Sequence, residues 1–549
     1  MRAFLRAPLQ LCTPLLLGLR HPTVHRGGTR WLMTADGFVP SRESADTIFA
    51  LSSGAGRAGV SVIRVSGPQA RDAITQLAPV SSGELPPPRR AVLRSLVRPP
   101  ADGDDGGGGG DSTWQPETID QSLVLWFPGP RSFTGEDVVE FHTHGSRAVV
   151  AAVLEALGTV RGLRLAEAGE FTRQSFMNGK MELTQVEGLS DLINADTEEQ
   201  RKQALAQMSG VQRRRYEGWR QSLLKSLAYT EALIDFGEDA DDVTVDALGV
   251  ARADVRALGD QLRAQLSDGR RGEVVREGVR VAIVGPPNAG KSTLLNLLAQ
   301  REAAIVSPIA GTTRDVVRVT LQLGGLPVEL ADTAGLREKT DDPIEVLGMR
   351  RAADEARRAH VQLWVCDAAA PPRSLQLFEE STAAAGDAGA AGWAAEAEAE
   401  VAAEREEGEE GEEPLRLLVH NKVDTLAAEA PRLAVEGLPG AQQWWVSCTT
   451  QAGLQPFLDA LSGLVATRYG AAEAGEPALI TRARHREHVG AALDALDAFE
   501  RLAAQGEAAP LDLAAEELRT AANELGRISG RVDVEELLDV IFRDFCIGK

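Results

Sequence analysis

Gly285-Pro286-Pro287-Asn288-Ala289-Gly290-Lys291-Ser292 fits the pattern G-x4-G-K-S, and its setting decides the fold of the middle of the chain. It follows the apolar run 279–284 and opens a segment carrying Leu294, Leu295, Leu297 and Leu298 at helical spacing. A strand that turns through such a loop into a helix N-terminus aims free backbone N–H groups at a phosphate. Lys291 then neutralises the β and γ oxygens and Ser292 ligates magnesium, with Asn288, Ala289, Gly290 and Thr293 completing the cradle. Downstream, Gly311-Thr312-Thr313-Arg314-Asp315 supplies a threonine able to close over magnesium and the γ-phosphate, and Asp332-Thr333-Ala334-Gly335 offers a carboxylate and a glycine N–H. Asn421-Lys422-Val423-Asp424 ends a later strand. Its aspartate can accept both the N1–H and the exocyclic amine of guanine, a pairing adenine cannot return, so GTP is favoured over ATP. Ser447-Cys448-Thr449 would complete the base pocket through backbone contacts.

Working outward, residues 276–475 alternate apolar strands, drawn at 279–284, 327–331, 361–366, 415–420 and 443–447, with helical stretches, as a parallel α/β sheet does. On either side, 164–275 and 476–549 repeat apolar residues every three or four positions, as in Leu183, Val186 and Leu189 or Leu493, Leu496 and Phe499. The expected fold is therefore a P-loop α/β domain inserted in an all-α helical domain. Before both, 46–163 reads as a mixed α/β domain with a glycine-rich loop at 102–111. Residues 371–413 read as a disordered, acidic surface insertion.

Composition bounds the rest. At 549 residues with 43% hydrophobic and 25% charged residues, several cores are expected. A net charge of −22 denies the chain a long-range attraction for polyanions, so any nucleic-acid contact must be a local basic surface. The densest cationic run is Arg201, Lys202, Arg213, Arg214, Arg215, Arg220 and Lys225, which is either a solvated helix face or an RNA-docking face. Residues 1–35 hold Arg2, Arg6, Arg20, Arg26 and Arg30 with no acid before Asp36, the pattern of a mitochondrial transit peptide. No apolar run approaches the ~18 residues of a membrane span. Cys12, Cys366, Cys448 and Cys546 form no zinc or disulfide pattern, and His142 and His144 lack neighbouring acids in sequence, so no metal is assigned there. Leu336 stands where a water-orienting glutamine follows the D-x-x-G element in other switch GTPases, which leaves Glu338, Asp341, Asp342 and Glu345 as candidates for that work.

The nucleotide elements, together with Phe133-Thr134-Gly135-Glu136-Asp137 and the terminal Cys546-Ile547-Gly548-Lys549, resemble the MnmE family of tRNA-modification GTPases, mitochondrial branch. The sequence departs from that family's usual pattern at Gly54-Ala55 and Ser61. The resemblance implies a folate-binding domain that forms a homodimer, an FAD-dependent partner protein, and mitochondrial tRNA as substrate, modified at carbon 5 of the wobble uridine in the matrix. It also implies K+ held by Asn288, Ser307, Ile309 and Thr312, and Mg2+ held by Ser292 and Thr313. Glu345 matches the acid working with the attacking water, while Arg64, Glu140, Lys180 and Lys549 match contacts to a 5-formyltetrahydrofolate or methylenetetrahydrofolate-type cofactor. Cys546 is either a reactive thiol of the modification chemistry or a buried structural one. A rival reading, a GTPase switch in mitochondrial ribosome assembly or signalling, explains neither a folate site nor the terminal motif.

Overall fold

A computed structural model of the chain describes residues 31–34, 37–40, 46–99, 117–236, 244–268, 270–286, 288–300, 304–305, 318–332, 355–356, 358–369, 414–426, 442–470, 478–531, 538, 541–542, 545 and 547–548. They fall into two compact units, Met1–Ala166 and Glu167–Lys549.

In the first unit, β1 (Trp31–Thr34) and β2 (Gly37–Pro40) pair as an antiparallel hairpin that straddles the leader boundary expected at 35. The main sheet contains β3 (Thr47–Leu51), β4 (Ala58–Ser66), β5 (Val92–Val97), β6 (Thr118–Phe127), β7 (Val138–Gly145) and β8 (Leu163–Leu165), in the order β5-β6-β7-β4-β3-β8. Strict alternation puts Ile63, Val65, Val124, Trp126, Val139 and Phe141 on one face. There they bury against Ile74 and Leu77 of α1 (Ala70–Leu77) and Val153 and Leu157 of α2 (Arg147–Gly158). Arg64, Glu140 and Leu125 form a register row on the opposite face.

The second unit begins with α3 (Glu170–Met177), α4 (Leu183–Ile193), α5 (Glu198–Met208), α6 (Val211–Phe236), α7 (Thr244–Leu266) and α8 (Arg271–Glu277). A sheet follows, built from β9 (Val279–Val284), β10 (Ala304–Ile305), β11 (Arg318–Leu323), β12 (Leu326–Asp332), β13 (Val361–Asp367), β14 (Leu415–Asn421) and β15 (Gln443–Trp445), with α9 (Lys291–Ala299) and α10 (Leu454–Tyr469) packed on it. The chain closes with α11 (Ala483–Ala503) and α12 (Leu511–Ser529). The strand order is β10-β11-β12-β9-β13-β14-β15.

This sheet is mixed rather than wholly parallel. β11 returns onto β12 through Gly324-Gly325, whose φ angles of +60° and +81° suit a two-residue hairpin turn, and β10 adds to the edge. The alternating polar and apolar residues of β11 mark an antiparallel strand with one face toward the core, which a search for continuous apolar runs passes over. The central strands do read as such runs because both their faces are covered: Val361, Leu363 and Val365 point to one core, Trp364 and Cys366 to the other.

Helices from both sides of the sheet segment share one core. Tyr216, Trp219 and Leu223 of α6 and Val255 and Leu262 of α7 pack against Val489, Leu496 and Phe499 of α11 and Leu518 and Leu525 of α12. The domain boundary expected at 275/276 falls inside α8, whose Val274 and Val275 belong to the sheet's hydrophobic core.

Candidate functional site

The parallel strands β9, β12, β13, β14 and β15 end on the same side, and the loops beyond their carboxyl ends build the site. β9 leads through the glycine loop into α9, whose first-turn N–H groups are those a helix leaves without internal partners. Gly290 caps that helix at φ +95°, and an added Cβ would stand 2.2 Å from the Asn421 side-chain nitrogen, so only glycine lets the two loops close. Asn288 is exposed at φ +61°, while Ser292 and Thr293 sit exposed in the first turn. Lys291 is 7% exposed, its Nζ donating to the Gly285 and Pro286 carbonyls at 2.6 and 2.8 Å, which folds the ammonium back over the loop.

At the other end, Asp424 is exposed and its Oδ1 accepts from the hydroxyl of fully buried Ser447, which also accepts from Thr450 N at 3.0 Å. Asn421, expected to touch the nucleotide, spends its amide inside the protein: Nδ2 donates to Ala289 O at 2.8 Å and Oδ1 accepts from Cys448 N at 3.1 Å. It therefore fastens the phosphate loop to the base loop. Lys422 Nζ pairs with Asp367 Oδ2 at 2.9 Å, across the ends of β13 and β14. Beneath, His420 is buried and stacks on Trp445 at 4.8 Å, and burial holds its imidazole below the ordinary range. Burial pushes the thiols of Cys366 and Cys448 up to about 12 and about 11, which keeps both protonated and inert. Asp332 closes β12 in register with Ile283 of the phosphate-loop strand.

Sequence reasoning named Asp424 and Lys291, but not Ser447 as a side-chain partner of Asp424 nor Asp367 as that of Lys422. Ser307, Ile309, Gly311, Thr312, Thr313, Thr333, Ala334, Gly335, Glu345, Cys546 and Lys549 lie outside the described residues, as do Glu338, Asp341, Asp342 and the insertion 371–413.

Two family models account for most of the chain. "GTP-binding protein TrmE N-terminus" matches residues 47–180 and "MnmE helical domain" matches 183–546. The chain belongs to the MnmE family. A tRNA modification GTPase MnmE of Parvibaculum lavamentivorans is 48% identical over 505 residues, covering 92% of this chain and 100% of that protein. The mitochondrial 5-taurinomethyluridine-[tRNA] synthase subunit GTPB3 of Homo sapiens is 44% identical over 526 residues (95% and 97%), and that of Danio rerio 44% over 541 (97% and 99%).

Two further regions of this MnmE-family chain bear on the sequence reading. Arg64 donates through Nε and Nη2 to Glu140 Oε1 at 3.0 and 2.9 Å, and its guanidinium lies 5.4 Å from the Phe133 ring. The loop carrying Phe133 is braced by Thr134 to Ser66 at 2.7 Å and by Asp137 to Gly129 N and Arg71 at 2.9 and 3.1 Å. Lys180 lies in the second unit. Each histidine does meet an acid: His142 lies 3.3 Å from Glu140, two residues earlier on the same strand, and His144 lies 2.7 Å from Asp120, which the pairing of β6 with β7 brings in. Even so, no group of three or more His, Cys, Asp or Glu able to hold a metal occurs among the described residues.

The cationic run resolves as a surface of α5 and α6 on which five of the seven cations are ion-paired. Arg201 meets Glu198, Lys202 Glu199, Arg213 Glu182, Arg220 Glu217 and Lys225 Asp254, while Arg214 donates to Ser209 O and Arg215 covers Trp219.

Proposed function

We propose that this chain is the GTP-hydrolysing component of a mitochondrial tRNA-modification machinery that installs a taurinomethyl-type group on carbon 5 of the wobble uridine. The observation that carries this reading is that Asn421 fastens the glycine loop at Ala289 to the loop of Cys448, in a chain that matches MnmE-family proteins nearly end to end.

Asp424 and Ser447 select the base, and Lys291 is released from the Gly285 and Pro286 carbonyls to meet the β and γ oxygens. The exposed hydroxyl of Ser292 in the first turn of α9 fits a magnesium ligand, with Thr313 as its companion; the metal would neutralise phosphate charge. The exposed, left-handed Asn288 fits a potassium ligand beside Ser307, Ile309 and Thr312, where the cation would supply the charge an arginine finger gives elsewhere. Glu345 positions the attacking water that Leu336 cannot. Arg64 and Glu140, joined across β4 and β7, are the polar pair for a reduced folate, its carboxylate matching the pterin amine edge and its cation the glutamate tail. A homodimer through the first unit, an FAD-dependent partner and residence in the matrix belong to the same reading. The conjunction of an Arg64–Glu140 pair with a full-length family match favours it over a ribosome-assembly or signalling switch.

The test has two parts. Purified protein is expected to hydrolyse GTP and not ATP, faster in K+ than in Na+, and Glu345→Ala should abolish turnover while leaving binding. Mass spectrometry of mitochondrial tRNA from cells lacking the protein should show an unmodified wobble uridine; a modified one rejects the reading.

A further inference from the structure

Arg89, Arg90 and Arg131 are exposed at one end of the first unit's sheet, and none meets a carboxylate among the described residues. Arg71, Arg98 and Arg164 of the same unit each pair with an acid, as does Arg64, whereas Arg57, Arg147 and Arg161 are exposed and likewise meet no acid among the described residues. What sets the first three apart is that Arg89 and Arg131 are tied to each other, with Arg90 next in the chain. Arg89 N donates to Trp126 O at 2.8 Å, its Nη2 donates to Arg131 O at 2.6 Å, and its backbone is held at φ +59°. The loop before β5 and the loop after β6 are thereby laced into one surface. Carbonyl oxygens absorb hydrogen bonds without cancelling charge, so the patch keeps its positive sign in a chain of net −22.

Its neighbours specify the partner. Two residues past Arg131, the ring of Phe133 is 37% exposed and lies against Arg64, which pairs with Glu140. Guanidinium forks suit phosphate oxygens, and an exposed aromatic beside them suits an unstacked base. We propose that Arg89, Arg90 and Arg131 form a phosphate-docking surface for single-stranded RNA of the tRNA substrate, presenting a base toward Phe133 and the Arg64–Glu140 end of the sheet. The proposal rests on the tRNA-modifying reading.

The experiment measures binding of fluorescein-labelled, unmodified tRNA to the full-length protein by anisotropy over a series of KCl concentrations. Replacing all three arginines by alanine is expected to weaken binding about tenfold or more and to flatten the log–log salt slope by about 2, since each lost phosphate contact removes roughly 0.7 to 0.9. GTP turnover should not change. The triple lysine variant, which restores charge, should recover most of the affinity. Alanines at the ion-paired Arg201, Lys202 and Arg213 should leave affinity and slope near wild type. Unchanged affinity and slope in the Arg89, Arg90 and Arg131 variant would overturn the proposal, as would equal losses in both sets. Unchanged tRNA binding with weakened binding of an acidic protein partner would assign the surface to that partner and also overturn it. Wild-type protein that hydrolyses GTP but binds no tRNA would instead reject the tRNA reading itself.

Discussion

Ser447 fixes the carboxylate that the proposed function assigns to the base. It is fully buried, donates to Oδ1 of the exposed Asp424 and accepts from Thr450 N, so one carboxylate oxygen is pinned. A hydrogen bond to a charged group contributes about 1.5–3 kcal/mol. Ser447→Ala is therefore expected to weaken GTP and GDP binding by about tenfold while leaving the far weaker ATP affinity unaltered. Titration with fluorescent guanine and adenine nucleotides checks this; equal losses for both bases would show a general loosening instead. Asp424 was legible because a carboxylate after an apolar strand in N-K-x-D has few other uses. Ser447 was not, because its partner is chosen by the pairing of β14 with β15, 23 residues apart from it in sequence.

Between elements, the contact of α4 with the start of α11 is charged and centred on a buried carboxylate. Glu187 is fully buried, with Arg484 Nε at 2.8 Å, His485 Nε2 at 3.0 Å and Arg482 Nε at 3.4 Å. Burial pushes its carboxyl up, but Arg484, His485 and Arg482 together win and hold it well below the ordinary 4.5. Burial likewise keeps the His485 imidazole below its usual 6.5, so it stays neutral near pH 7. Both shifts have the same sign: the unfolded chain binds more protons, so the stability they contribute is present above the unfolded pKa values and is lost as pH falls. Glu187→Gln should cost about 3 kcal/mol at pH 7 by leaving two arginines without their carboxylate, and the gap to wild type should shrink as the pH drops below 4.5. Urea midpoints of both proteins across that range measure it, and a constant gap would contradict the assignment. Helical periodicity placed Leu183, Val186 and Leu189 correctly on a packed face but gave Glu187 no role, since its partners lie almost 300 residues away.

At the scale of the whole molecule, the larger unit turns on how the nucleotide sheet is tied to the helices. The chain enters the sheet through α8 and leaves it just before α11, and one carboxylate holds both crossings: Asp191 Oδ1 accepts from Arg276 Nε at 3.1 Å and from Arg482 Nη2 at 2.7 Å. Gln200 and Gln203 donate to the Arg276 and Gly272 carbonyls at 2.9 and 2.8 Å, and Tyr216 donates to Leu479 O at 2.8 Å. A cavity of ≈ 490 Å³ lies beside this joint, lined by Asp191, Gln200, Gln203, Arg276 and Arg482. A joint of directional polar bonds beside open space can break and re-form, whereas an apolar seam would have to expose its core. Asp191→Asn is expected to leave GTP affinity within about twofold and to speed amide exchange through 271–277 and 478–482 by about tenfold, the effect of losing one charged hydrogen bond. Exchange rates unchanged at both crossings would show that Asp191 does not hold them.

By itself the sequence determined the glycine loop between β9 and α9, the five parallel strands of the second unit's sheet, and the division of the helical texture into two blocks. Those features are local: a glycine loop between a strand and a helix, or apolar residues at a fixed period, carry their meaning within ten or twenty residues. Only the tertiary structure decided that β11 runs antiparallel, that Asn421 clasps two loops, that Arg201, Lys202, Arg213, Arg220 and Lys225 are ion-paired while Arg89, Arg90 and Arg131 meet no acid among the described residues, and that Asp191 closes two crossings at once. Each of these depends on which distant backbone or charge comes within hydrogen-bonding distance, and packing sets that distance where spacing along the chain does not.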